Sequence, residues 1–123
     1  MPASNILVVE DEPHILTLIA SVIQMHQAEA SLAPNGSRAL VLARETPFLG
    51  AIVDFSLPDM SGVEVGAQLL EIQPQLAGKL LYISGFEPTP EERAVMAEQE
   101  ADFLAKPFEL TAIQAAVARL IGK

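Results

Sequence analysis

The sequence contains no cysteine and no long apolar run. Without cysteine, disulfide bridges and thiolate metal sites are excluded, and the composition fits a reducing compartment. No apolar stretch approaches the roughly 20 residues that a membrane-spanning helix needs. Residues 1–5 lack a basic segment followed by an apolar one, which argues against a signal peptide. We therefore expect a cytoplasmic protein.

Basic residues are also scarce: 7 Lys and Arg stand against 16 Asp and Glu, giving a formal net charge of −9. Such a surface repels the phosphates of nucleic acids and of anionic lipids, so we expect neither direct nucleic-acid binding nor membrane association. With 123 residues, half of them hydrophobic, the chain has the size and core of one compact domain over residues 1–123. Its natural-looking start leads us to expect that this domain begins its parent protein.

Strand-like and helix-like segments alternate along the chain. Short runs predict five strands at 6–9, 29–33, 50–53, 80–83 and 102–105. Capping residues and helical periodicity predict five helices. The first begins at about 13, and the next three cover 36 to about 44, 61 to about 72 and 89 to about 99. The last is predicted from an inner apolar stripe at 113–121. Five strand–helix units predict an α/β fold in three layers, a doubly wound parallel sheet with helices on both faces.

Two helices carry contrasting patterns. The first has an apolar stripe at helical spacing, made of Ile15, Leu18, Ile19, Val22 and Ile23. The fourth helix has a thinner apolar stripe, so we expect it to be the more mobile of the two.

Chemically active side chains follow the predicted strands. Glu10 and Asp11 follow the first strand, Asp54 the third, Ser84 the fourth and Lys106 the fifth. Because ligands of open α/β sheets bind at the carboxyl ends of the strands, these residues are expected to meet at one edge. Clustered carboxylates repel one another, and Mg²⁺ removes that repulsion while sharing its shell with a phosphate. Lys106 and Ser84 could then contact phosphoryl oxygens, so the pattern favours a metal-plus-phosphoryl site.

Four segments together resemble the response-regulator receiver family: ILVVEDE at 6–12, VDFSLPDMSG at 53–62, YISG at 82–85 and DFLAKPF at 102–108. The resemblance covers essentially the whole chain in the right order and spacing. It implies a flavodoxin-like, five-stranded sheet with strand order 2-1-3-4-5. It also implies a phosphorylation-dependent signalling switch of a two-component system, not a conventional enzyme.

The resemblance assigns the cation site and the phosphoacceptor residue by residue. Asp54 matches the aspartate that takes a phosphoryl group and also contacts Mg²⁺. Asp11 matches a direct Mg²⁺ ligand, and Glu10, where Asp is more common in the family, matches the acid that reaches the metal through water. The backbone carbonyl of Ser56 would complete the protein ligands.

The resemblance also assigns the residues that respond to the phosphoryl group. Ser84, where Thr is more common, matches the hydroxyl that moves toward it, and Lys106 matches the lysine that pairs with it. Pro107 matches a proline whose preceding peptide bond is often cis. Phe103 matches the aromatic residue whose rotamer changes on activation. Because Phe103 lacks the hydroxyl of the more common Tyr, it could act through its shape but not through a hydrogen bond of that hydroxyl. Gly85, where Ala is more usual, should leave the phosphoryl oxygens open to water or to a partner.

The implied partners are a histidine kinase or a histidine phosphotransfer protein upstream, and a downstream protein or output domain. The output would pass through the surface of the fourth helix, fifth strand and fifth helix. Autodephosphorylation by water at the same centre is also expected.

Three other functions stay open. An aspartyl-nucleophile phosphatase or phosphotransferase like haloacid-dehalogenase enzymes needs a second acid two residues after Asp54, where this chain has Ser56. A flavodoxin-like cofactor module needs a hydroxyl- and glycine-rich loop after the first strand, where residues 10–13 read EDEP. A receiver used only as an unphosphorylated docking module would not need the complete acid, hydroxyl and lysine set.

Overall fold

A computed structural model describes residues 4–122; the ends of the expected domain, residues 1–3 and residue 123, lie outside the described residues. The strands are β1 (Asn5–Val9), β2 (Glu29–Ala33), β3 (Gly50–Asp54), β4 (Leu80–Ser84) and β5 (Asp102–Ala105). The helices are α1 (Pro13–Met25), α2 (Gly36–Glu45), α3 (Gly62–Ile72), α4 (Pro90–Gln99) and α5 (Leu110–Ile121), with a short 3₁₀ helix at Pro74–Leu76.

The five strands form one parallel sheet in the order β2-β1-β3-β4-β5. The predicted fold class and strand order are confirmed. The central strands β1, β3 and β4 are buried along almost their whole length, which explains their nearly unbroken apolar sequences. The register pairs Val9 with Val53 and Ser84 with Ala105, so the carboxyl ends of these strands reach the same edge.

Two apolar layers cover the sheet. On one face, α2, α3 and part of α4 pack against strand residues in a cluster that includes Phe48 and Tyr82. On the other face, α1 and α5 form a second cluster, to which α5 contributes Ile113, Ala116, Val117 and Leu120. The predicted inner stripe of α5 consists of these four positions and Ile121; the four are buried, whereas Ile121 is only half-buried.

Side-chain caps define where three helices begin, as their sequences predict. Asn35 accepts a hydrogen bond from the Arg38 N–H at the start of α2. Ser61 accepts one from the Glu64 N–H at the start of α3. At α4, Thr89 and Glu92 form a complete capping box.

The predicted inner stripe of α1 is wrong at one position. Ile19, Val22 and Ile23 are buried, but the Leu18 side chain is 40% exposed. Leu18 lies at the edge of the helix interface and lines an open apolar cavity of about 310 Å³ beside Pro107 and Phe108. The short 3₁₀ helix after α3 was not predicted either. Among residues 4–122, no helix has the length and apolar character that crossing a bilayer requires.

Candidate functional site

The candidate site lies at the carboxyl edge of the sheet. Asp54 ends β3 and Ser84 ends β4, whereas Glu10 and Lys106 directly follow β1 and β5. A cavity of about 280 Å³ opens at this edge; its lining consists of Asp11, Glu12, Asp54, Ser56, Gly85, Phe86 and Lys106. Acids and a lysine that follow or end β1, β3 and β5 therefore meet at this cavity, as predicted, whereas the segment after β4 contributes Gly85 and Phe86 and not the predicted Ser84.

The Asp54 carboxylate is nearly buried and held at both oxygens. Its Oδ1 accepts a hydrogen bond from the Ser56 N–H at 3.0 Å. Its Oδ2 accepts one from Lys106 Nζ, also at 3.0 Å. These two contacts fix the orientation of the carboxylate, and it still borders the cavity.

Lys106 compensates the charge of several acids. Its Nζ lies 2.6 Å from Glu10 Oε1 and 3.0 Å from Asp54 Oδ2, with Glu12 Oε1 farther away at 4.0 Å. Burial disfavours the charged ammonium, but the contacts with Glu10 and Asp54 outweigh burial and raise the pKa of Lys106. The lysine is consequently charged and anchored at the centre of the site. Its own backbone N–H donates to the Ser84 carbonyl at 2.7 Å.

Glu10 is fully buried beneath the cavity. Its Oε2 accepts hydrogen bonds from the N–H groups of Asp11 and Glu12 at 2.9 and 3.2 Å. Within residues 4–122, its Oε1 makes the ion pair with Lys106 but no hydrogen bond of good geometry. Burial, reinforced by the nearby Asp54 and opposed by Lys106, raises the pKa of Glu10 to about 7.

Three acidic residues lie close enough together to hold a divalent cation. Glu10, Asp11 and Asp54 each offer a carboxylate oxygen, and these oxygens lie within 4.8 Å of one another. Asp11 is exposed and faces the cavity, whereas the other two are buried. A hard cation prefers oxygen ligands and would offset a negative charge that Lys106 alone does not balance, so the residues present fit such an ion. Ser56 borders the same cavity.

The hydroxyl of Ser84 is engaged within its own turn. Ser84 is buried, and its Oγ accepts a hydrogen bond from the Phe86 N–H at 2.9 Å. It does not belong to the cavity lining, whereas the next residue, Gly85, does. A Cβ at Gly85 would meet no heavy atom within 4 Å, so this side of the cavity is open.

Phe103 and Pro107 flank the site on the β5 side. The half-buried Phe103 ring lies 5.9 Å from the ring of Phe55, which follows Asp54 directly. Phe55 also contacts the buried Tyr82 ring, with centroids 5.1 Å apart. The Lys106–Pro107 peptide bond is cis.

Sequence reasoning missed two residues of the cavity. Glu12 borders it near Lys106, and the 74% exposed Phe86 forms part of its rim. Glu12 directly follows Asp11, and Phe86 lies two residues after Ser84. Their place next to predicted site residues is the feature of the sequence that could have indicated them. The doubly wound parallel sheet, with acids and a lysine at its carboxyl edge, places the protein among the α/β domains whose ligand site lies at the strand ends.

Comparisons with known proteins narrow that class. The family model for the response regulator receiver domain matches residues 6–118, and the chain belongs to this family. Members of the family are signalling switches of two-component systems, not conventional enzymes. The predicted family is therefore confirmed.

Individual relatives agree with the family match. The response regulator receiver protein CpdR of Brucella abortus is 28% identical over 106 residues, which cover 86% of this chain and 87% of CpdR. The histidine-protein kinase BarA of Escherichia coli is 23% identical over 87% of this chain, which spans only 12% of BarA. A Burkholderia pseudomallei response regulator, solved with a phosphorylated aspartic acid, calcium ion and citrate, superposes with a TM-score of 0.78 and 27% identity, covering 93% of this chain and 66% of that one.

Proposed function

We propose that residues 1–123 form a single receiver unit in which Asp54 accepts a phosphoryl group with the help of Mg²⁺. The observation that carries this proposal is the Asp54 carboxylate, which borders the cavity with Lys106 Nζ 3.0 Å away and two further acids beside it. The phosphorylated aspartate and calcium ion of the Burkholderia relative support it.

The chemical step is transfer from a phosphohistidine of a partner. An Asp54 oxygen attacks phosphorus, an O–P bond forms and the P–N bond breaks. The electron pair of the broken bond stays on the imidazole nitrogen that leaves. When the switch is turned off, water attacks the acyl phosphate at phosphorus and the P–O bond to Asp54 breaks, which restores the carboxylate and releases inorganic phosphate. Lys106 neutralises one phosphoryl oxygen during both steps.

Mg²⁺ would be held by Asp11 and Asp54, by the backbone carbonyl of Ser56, and by Glu10 through water. Bound there, it would offset the charge of the carboxylates and of the incoming phosphoryl oxygens. With that charge offset, Lys106 depends less on its ion pair with Glu10 and can turn toward the phosphoryl group.

The signal would leave the site through the β4–α4 loop. Ser84 lies outside the cavity lining, so its hydroxyl would have to move toward the cavity, away from the Phe86 N–H, to reach a phosphoryl oxygen. That movement of Ser84 would free the start of the β4–α4 loop. It would also change the space beside the half-buried Phe103 ring, so that the ring takes a different position. The surface formed by α4, β5 and α5 then changes its affinity for a downstream protein or output domain.

The upstream partner would be a histidine kinase or a histidine phosphotransfer protein. An apolar cavity next to Lys106, lined by Ile15, Leu18, Pro107 and Phe108, gives such a partner a contact surface beside the phosphoacceptor. The similarity to a segment of the kinase BarA supports a partner of this kind.

Phosphorylation by a small donor tests the proposal. We expect the intact protein, incubated with acetyl phosphate and Mg²⁺, to gain the mass of one phosphoryl group, and to gain none in excess EDTA. Asp54→Asn should gain none under either condition. Asp102→Asn is the matched control, because Asp102 pairs with Arg119 on the exposed surface and should leave phosphorylation intact. A wild-type protein that gains no phosphate, or an Asp54→Asn variant that still gains it, would contradict the proposal.

A further inference from the structure

The loop between β3 and α3 is fastened to a distant helix. At its tip, Asp59 accepts hydrogen bonds from the N–H groups of Gly36 at 2.8 Å and Ser37 at 2.9 Å. These are the first two amides of α2, which have no partner within the helix. A carboxylate at this helix end is also favoured by the helix dipole. The two backbone hydrogen bonds lower the pKa of Asp59, which indicates that the bonds favour its charged form.

The helix has a cap of its own without Asp59. Asn35 already accepts the hydrogen bond from the Arg38 N–H at 2.8 Å, as a residue before a helix commonly does. Asp59 therefore adds a long-range attachment to a helix that is locally capped. The attachment is also steric: a Cβ on Gly36 would overlap the Met60 side chain, so the loop lies directly on the α2 backbone.

The other end of the loop is joined to the phosphoacceptor. Gly62 N–H donates to the Phe55 carbonyl at 2.9 Å, and Ser56 forms an isolated antiparallel bridge with Ser61. The Ser56 N–H donates to Asp54. The base of the loop is thus closed against Asp54, Leu57 and Met60 pack against the apolar core, and Asp59 attaches the tip to α2. Ser56, which would present its carbonyl to the cation, belongs to the base of the loop, three residues before Asp59.

We propose that Asp59 is a positioning residue for the cation site: by fixing the loop tip on α2, it sets the position of the Ser56 backbone and so the cation affinity beside Asp54. The inference rests on the proposed function, because it requires Ser56 to face bound Mg²⁺. Asp59 itself contacts α2 and not the cation.

Mg²⁺ titration of purified variants tests this role. We compare wild type, Asp59→Ala, the milder Asp59→Asn and Asn35→Ala by isothermal titration calorimetry. Amide hydrogen exchange of Ser56, Gly36 and Ser37 is measured in the absence of metal. Asn35→Ala is the matched control, since it removes a cap from the same helix but leaves the loop attached. We expect Asp59→Ala to weaken Mg²⁺ binding about 10-fold, the lower end for residues that support metal ligands. It should also speed exchange at Ser56.

The results of these experiments distinguish a failure of the positioning role of Asp59 from a failure of the proposed Mg²⁺ site. Weakened Mg²⁺ binding in the Asp59 variants but not in Asn35→Ala supports the positioning role. Equal Mg²⁺ affinity in wild type and in both Asp59 variants, or equal weakening in Asn35→Ala, overturns it and leaves Asp59 as a helix cap only. If Asp59→Ala does not fold, Asp59→Asn decides, because it retains one acceptor oxygen. If wild type itself binds no Mg²⁺, the proposed function fails, and the inference fails with it.

Discussion

At the residue scale, the clearest feature outside the site is Tyr82, the single tyrosine of the chain. Its phenol is buried and donates a hydrogen bond to Gln99 Oε1 at 2.7 Å. The hydroxyl fits only because residue 66 is glycine; a Cβ on Gly66 would overlap Tyr82 Oη. Burial raises the pKa of Tyr82 to about 12, although the hydrogen bond with Gln99 opposes that shift.

This raised pKa predicts a pH dependence with a definite sign. Because the phenol ionises near 10 when unfolded and near 12 when folded, its contribution to stability is complete below pH 10 and is lost as the pH rises toward 12. Tyrosinate absorbance, which reports this residue alone, should appear only near pH 12 or on unfolding. In urea denaturation, Tyr82→Phe should lose less stability than wild type over that interval. A midpoint near pH 10 in the folded protein would contradict the burial argument.

At the element scale, α4 is the helix with the weakest apolar attachment. Its buried side chains among the described residues are Met96 and Gln99 alone, whereas α1 and α5 each bury three or more. One of the two is polar, so α4 is held to the sheet partly by the hydrogen bond between Tyr82 and Gln99. A helix attached in this way unfolds locally at a lower free-energy cost than α1 or α5. An element that switches between two conformations needs such a low cost.

Cutting that hydrogen bond should loosen the helix measurably. Gln99→Ala leaves the buried Tyr82 hydroxyl without its partner, so we expect a loss of about 1 to 3 kcal/mol in the free energy of unfolding. Urea denaturation measures the loss, and hydrogen exchange should speed up in α4 more than in α5. The double variant Tyr82→Phe/Gln99→Leu removes both polar groups and should recover most of the stability. Equal losses in the single and double variants would show that the hydrogen bond does not hold α4.

At the scale of the whole molecule, local sequence patterns determine the alternation of apolar strands and capped helices. These patterns therefore predicted the layers, the five strands and the acids and lysine that meet at the carboxyl edge, although β1, β3 and β4 are each one residue longer than predicted. The strand order followed from family resemblance, because adjacency in a parallel sheet has no local signal.

Contacts between distant side chains could not be predicted in this way. The attachment of Asp59 to α2 and the pairing of Tyr82 with Gln99 depend on how packed elements meet. The Ser84 hydroxyl could be placed at the site but not oriented, since its bond to the Phe86 N–H depends on the turn that follows β4. Leu18 fits the helical period, but it lies where the neighbouring loop leaves a cavity open.

The most direct test of the central claim is an NMR titration of the full chain with Mg²⁺ and beryllofluoride, a phosphoryl mimic. We expect Mg²⁺ alone to shift the amide signals of Asp11, Asp54 and Ser56. Addition of beryllofluoride should then shift Gly85, Lys106 and α4 as well. Asp54→Asn should show no beryllofluoride-dependent shift. Beryllofluoride-dependent shifts that persist in Asp54→Asn, or that avoid the carboxyl edge of the sheet, would contradict the account.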